Sequence, residues 1–149
     1  FEQLVQQLFP SQLQADPQLV VFHGRLSELA KQEQIAASDV LVLPSDSSNE
    51  AFGIVQLEAM ASGRIALAFD LPRSGMGWVG RLPGLPWSQT PEGLPEVLQR
   101  LAYQPGLRQQ LSVQSRERYR TLFARRVWLQ KLQCLGDAME TGKVCISAE

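Results

Sequence analysis

The chain has 149 residues, a formal net charge of −1, one histidine and two cysteines, and 44% of its residues are hydrophobic. That length and apolar fraction fit one domain with a buried core, and the near balance of charge gives no reason to expect a polyanion partner. No run is long enough to span a bilayer and no signal peptide is recognisable. Cys134 falls within a helical pattern and Cys145 lies near the end, so two reduced thiols of a cytosolic protein are expected.

Glu2 to Phe9 is expected to form a helix with Leu4, Val5, Leu8 and Phe9 on one face, ended by Pro10. Leu19-Val20-Val21-Phe22-His23-Gly24 reads as a strand, and Ser27 as the cap of a helix running to about Ala37. Asp39-Val40-Leu41-Val42-Leu43-Pro44 is a continuous apolar run of the kind a doubly covered parallel strand shows. The polar run Ser45 to Asn49 then reads as a strand-to-helix loop, with a helix starting near Phe52 or Gly53. Ile65 to Phe69 is expected as a third strand, and Trp78-Val79 with Leu85-Pro86-Trp87 as a short further one interrupted by prolines. Pro91 to Tyr103 and Pro105 to about Phe123 each open with a proline in the manner of a helix, and Leu94, Val97, Leu98 and Leu101 repeat at helical spacing. Val127, Trp128, Leu129 and Leu132 give the last helix an apolar face for the core or for another domain. Strands alternating with helices predict an α/β fold, a Rossmann-like parallel sheet with flanking helices.

Within that frame Glu50 and Glu58 stand with seven residues between them, a glycine and an apolar helix-forming run. A helix starting at Gly53 leaves its first N–H groups without intrahelical partners, and with the helix dipole they form a seat for a phosphate that no side chain blocks. A plainer reading exists for each glutamate. Ser47 and Glu50 match a capping box, so Glu50 can simply close the helix start. Glu58 sits among Leu57, Ala59, Met60 and Ala61 on a helix that packs on a sheet, where a carboxylate requires a partner or a path to solvent.

The stretch from Asp39 to Gly63 resembles the retaining glycosyltransferases of family 4, and in particular the second, nucleotide-sugar-binding domain of their GT-B fold. The residues that carry the resemblance are Pro44-Ser45, Glu50, Phe52-Gly53-Ile54-Val55 and Glu58-Ala59-Met60-Ala61-Ser62-Gly63, in register over the whole stretch. The resemblance implies that Glu50 faces the donor sugar and the reacting centre, and that the amides of Phe52, Gly53, Ile54 and Val55 hold the diphosphate. Glu58 would then accept hydrogen bonds from the ribose hydroxyls, and Ser45 would line the site, although Ser45 reads equally as a turn residue. No cofactor is implied and no metal, since no ligand spacing of His, Cys, Asp or Glu is found and helix amides can stabilise the leaving diphosphate.

The same resemblance sets expectations about what accompanies this chain. Residues 1–140 would be a partial C-terminal donor-binding domain lacking its first strands, with 141–149 as a tail. The family's second domain opens with an arginine and a lysine that contact the diphosphate, and before Arg64 the only basic residues here are Arg25 and Lys31, in a different context. The expected partners are a nucleoside diphosphate sugar, a glycan or lipid-linked acceptor, and a missing N-terminal acceptor domain. The isolated chain is expected not to turn over. The resemblance implies a cytoplasmic location, on the inner face of the membrane where the acceptor is lipid-linked.

Three further features complete the expectations. The only histidine, His23, reads as a structural residue at a strand tip. The loop from Asp70 to Trp78, with Arg73, Gly75 and Gly77, follows a strand at the end where α/β sheets bind ligands, and reads either as a sugar or phosphate wrap or as a plain connection. From Arg100 to Lys131 there are eight basic residues against the single acid Glu117, which reads as a solvated helix face or as contact with an anionic membrane surface. A non-catalytic nucleotide-sugar-binding or scaffold module, and another GT-B-type enzyme such as an epimerase, are the competing readings of the whole.

Overall fold

The computed structural model describes residues 2–8, 10–16, 18–47, 50–85 and 87–142. They divide into two compact units, 1–31 and 32–149.

The first unit contains α1 (Glu2–Leu8) and α2 (Pro10–Ala15), and the first residues of α3 (Glu28–Ala37). Pro10 opens a second helix instead of merely ending the first, because proline at the first helical position lacks only an N–H that would have had no partner there. Ser27 caps α3 as expected, its Oγ accepting from the Ala30 N–H at 3.2 Å. The expected strand from Leu19 to Gly24 does not form. Leu19, Val20, Val21 and Phe22 are all exposed, and the sheet of the described residues pairs only the two strands that begin at Val40 and Ile65. His23 is exposed within it.

The second unit is built on two parallel strands, β1 (Val40–Leu43) and β2 (Ile65–Ala68), paired from Val40 with Ile65 to Leu43 with Ala68. Their crossover contains α4 (Ile54–Ala61). β2 is buried at every position, and its side chains alternate between two cores. Ile65 and Leu67 pack with Leu82, Leu85, Val97, Leu101 and Leu111, while Ala66 packs with Ile35, Ala59, Met60 and Val79. Helices therefore cover both faces of the sheet, which is the layering of a Rossmann-like fold. α5 (Met76–Val79), α6 (Leu94–Tyr103) and α7 (Pro105–Arg118) follow, then a π turn (Tyr119–Phe123) and α8 (Arg125–Thr141).

Trp78 and Val79 lie in α5 and not in the expected further strand. Gly77 brings this helix so close to the chain just after β2 that a Cβ on it would stand 2.6 Å from the Asp70 Cα. Leu85 and Trp87 are also outside any strand, and Pro86 lies outside the described residues. α6 starts at Leu94, since Pro91 to Gly93 form a turn, whereas Pro105 is the first residue of α7 as expected. Cys134 on α8 is disulfide-bonded, which corrects the expected pair of reduced thiols; Cys145 lies outside the described residues, as does the tail from 143. No helix among the described residues is long and apolar enough to cross a membrane.

Candidate functional site

β1 delivers the chain to Pro44 and a half-buried Ser45 at the C-terminal edge of the sheet, where open α/β sheets bind ligands. Ser48 and Asn49 lie outside the described residues. The chain then turns into α4 through Gly53, which adopts the left-handed conformation at φ 71° and ψ 66°. Only glycine suits this position. A Cβ there would stand 2.6 Å from Leu43 Cδ2 and 2.8 Å from Gln56 Nε2, besides the strain of a positive φ. Beyond it, Ile54 and Val55 are the first residues of α4, so their N–H groups have no carbonyl within the helix to bond. Ile54 is 69% exposed, so this end of the helix is open to a ligand.

Glu50 is half-buried and its Oε1 accepts a hydrogen bond from the Gly53 N–H at 2.9 Å. The glutamate does close the helix start, although not through a box with Ser47. The helix begins at Ile54 with Gly53 as its cap, so Ser47 lies too early in the chain to serve. Glu58 follows Ile54 by one turn, which puts both on one face of α4, and it is half-buried. Phe52 meets the Phe123 ring edge-on at 5.9 Å, and Val55 packs into the core on the α4 side of the sheet. The loop thus gathers Ser45, Glu50, Phe52, Gly53, Ile54 and Val55 at one edge of the sheet, with Glu58 one turn into the helix.

The loop after β2 closes against this turn. Ser74 Oγ donates to the Glu50 carbonyl at 2.6 Å, and the Gly75 N–H donates to the Ala51 carbonyl at 2.7 Å. Asp70 at its start is held by its own N–H on the Gln89 carbonyl at 2.8 Å and by Arg81 at 2.9 Å. That ion pair is half-exposed on both sides and contributes little by itself. The loop expected either to wrap a ligand or only to connect is in fact tied to the Glu50 turn at two points. Arg73 within it is exposed and has a positive φ of 61°.

Two residues at this site were not singled out by sequence reasoning. Gln56 is fully buried, and its Nε2 donates to the Phe52 and Met76 carbonyls, both at 3.3 Å, so it braces the helix start against α5. A glutamine inside an apolar helical run three residues after a glycine was the available signal. Arg118 belongs to the basic stretch read as a solvated face or a membrane contact, and it is turned onto the backbone of α5. Its Nε donates to the Val79 carbonyl at 3.0 Å and its Nη2 to the Trp78 carbonyl at 2.6 Å, while its guanidinium lies 5.4 Å from the Trp78 ring centre. Burial, and then the charge of Arg81, lower its pKa from the ordinary arginine value, but a guanidinium remains protonated at neutral pH. Phe123 completes the cluster, edge-on to Trp78 at 5.2 Å.

Among the described residues no group of three His, Cys, Asp or Glu is placed to hold a metal ion. The helix start and its glycine are instead suited to an anion. No curated protein and no solved structure matches the chain. The model of the family described as "Glycosyl transferases group 1" matches residues 3–83, more than half of the chain, including β1, the Glu50 turn, α4, β2 and the loop that closes on them. On that match, this chain belongs to the group 1 glycosyltransferases.

Proposed function

We propose that this chain supplies the donor-binding portion of a retaining glycosyltransferase, which moves a sugar from a nucleoside diphosphate sugar to a glycan or lipid-linked acceptor in cell-surface polysaccharide synthesis. The observation that carries the reading is the Gly53 turn. Its left-handed glycine, crowded by Leu43 and Gln56, opens the first N–H groups of α4 at the ligand-binding edge of a parallel sheet.

In this reading the amides of Phe52, Gly53, Ile54 and Val55 receive the diphosphate and Glu58 receives the ribose hydroxyls. Negative charge grows on the diphosphate as its bond to the sugar breaks, so fixed N–H donors favour the transition state over the ground state. Glu50 holds the Gly53 N–H in the structure, and an arriving diphosphate competes for the same donor. The displaced carboxylate then faces the sugar, where positive charge develops. Ser45 lines the same edge. Acceptor contacts come from a partner domain, and the exposed Arg125, Arg126 and Lys131 of α8 suit an anionic membrane on the cytoplasmic side.

Titration of the chain with UDP and GDP tests the reading. Saturable binding of one of them, weakened by Glu58→Ala, is expected. Absence of binding by both removes the donor site, and an unaltered affinity in Glu58→Ala removes the ribose role.

A further inference from the structure

We propose a second binding site, for a phosphate-bearing anion, at the opposite edge of the sheet. Asp39 and Arg64 immediately precede β1 and β2, so they mark the N-terminal edge, away from the Glu50 turn. There a cavity of about 460 Å³ opens, lined by Arg64, Arg108, Arg116, Ser62 and Ser112 together with Asp39. Three guanidinium groups face one carboxylate, a surplus of two positive charges. Asp39 does not neutralise them closely: its carboxylate is largely exposed and stands 3.8 Å from Arg108 Nε.

Two of the arginines are held in place by backbone. Arg64 donates through Nη2 to the Ala36 carbonyl at the end of α3, and Arg108 through Nη1 to the Leu101 and Ala102 carbonyls of α6, at 2.7 and 3.0 Å. These bonds engage a minority of the five donors of each guanidinium among the described residues. Arg64 Nε is buried and has no hydrogen-bond partner among the described residues. Arg116 is exposed and has no such backbone bond among the described residues; its Nε lies 3.3 Å from where a Cβ on Gly63 would stand. Helix capping therefore accounts for Arg108 and part of Arg64, and leaves Arg116, the Arg64 Nε and the empty volume.

The remaining lining agrees with an anion. α7 begins at Pro105 on the cavity wall, so its positive dipole end adds to the arginines, and Ser62 and Ser112 contribute hydroxyl donors. The volume is that of a small-molecule pocket, larger than inorganic phosphate needs, which points to a phosphate or diphosphate group carrying an organic moiety. A soluble phosphate ester and a lipid headgroup share this chemistry.

The test is calorimetric titration of the full chain with inorganic pyrophosphate in the presence of saturating UDP, which fills the diphosphate seat at Gly53, beside the variants Arg116→Gln and Ser112→Asp, and Arg120→Gln as a charge-matched control in the π turn. Saturable binding is expected, weakened at least tenfold by each cavity change and unaltered in Arg120→Gln. Absence of binding, binding that survives both cavity changes, or equal weakening in Arg120→Gln overturns the proposal. Arg116 is exposed, so its variant is expected to fold, and circular dichroism checks this. Sedimentation with phosphatidic acid vesicles against phosphatidylcholine vesicles separates the sources. Capture by the acidic vesicles that Arg116→Gln abolishes names a lipid headgroup, and pyrophosphate binding without capture names a soluble ester; each supports the site.

Discussion

The Glu50 carboxylate accepts its hydrogen bond from the Gly53 N–H, so the acidic group of the candidate site occupies the same helix start that suits a diphosphate. Two anions then contend for one donor, and at about 4 Å in water their repulsion is roughly 1 kcal/mol, larger where water is excluded. Glu50→Gln keeps an oxygen for the Gly53 N–H but removes the charge. UDP is therefore expected to bind about fivefold more tightly to this variant, while any sugar transfer supported by the assembled enzyme falls. Weaker UDP binding by Glu50→Gln would show that the carboxylate does not stand in the path of the phosphates.

Gly53 is a position where a single methyl group has a large expected effect. An alanine at φ 71° costs about 1–2 kcal/mol in backbone strain, and a Cβ 2.6 Å from Leu43 Cδ2 adds about 1–3 kcal/mol of overpacking. The expected loss for Gly53→Ala is roughly 2–5 kcal/mol in urea unfolding, together with loss of UDP binding. A loss under about 1 kcal/mol would mean that the turn relaxes to another conformation, and the glycine would no longer explain the site.

These two residues were legible in the sequence because their signals are local. The apolar run from Val40 to Leu43, the polar break and Gly53 before an apolar helix specify strand, turn and helix without reference to distant chain. Leu19 to Phe22 carries an equally good strand pattern and forms none, because an apolar run reads the same whether or not a neighbouring strand is there to bond it. Arg118 was hidden for a related reason. Counting charge along the chain places it with exposed neighbours such as Arg116 and Arg120, and nothing local says that it reaches carbonyls 39 and 40 residues earlier.

Arg118 ties the end of α7 to α5 through two carbonyls and the Trp78 ring, a geometry that depends on a planar, forked group. Arg118→Lys keeps the charge but provides one point donor. With charged hydrogen bonds worth about 1.5–3 kcal/mol each, loss of one predicts a drop of roughly 1–3 kcal/mol in urea unfolding. A lysine variant as stable as the parent would mean that charge alone, and not the fork, holds α5.

Ser74 separates loop tethering from overall stability. Its Oγ donates to the Glu50 carbonyl at 2.6 Å and accepts from the Met76 N–H at 3.3 Å, and the nearby Gly75 N–H bond to Ala51 is the loop's other tie to the same turn. Ser74→Ala removes the first tie and leaves the second, a local loss of about 0.5–1.5 kcal/mol. Because a factor of ten in an opening equilibrium corresponds to about 1.4 kcal/mol, hydrogen exchange at the Gly75 and Met76 amides is expected to quicken by up to about tenfold. The buried residues of β2 belong to a core that Ser74 does not enter, so their exchange is expected to stay unchanged. Equal exchange at Gly75 in both proteins would show that the Gly75 bond and the buried Met76 suffice to hold the loop, and that the serine is not what closes it on the Glu50 turn.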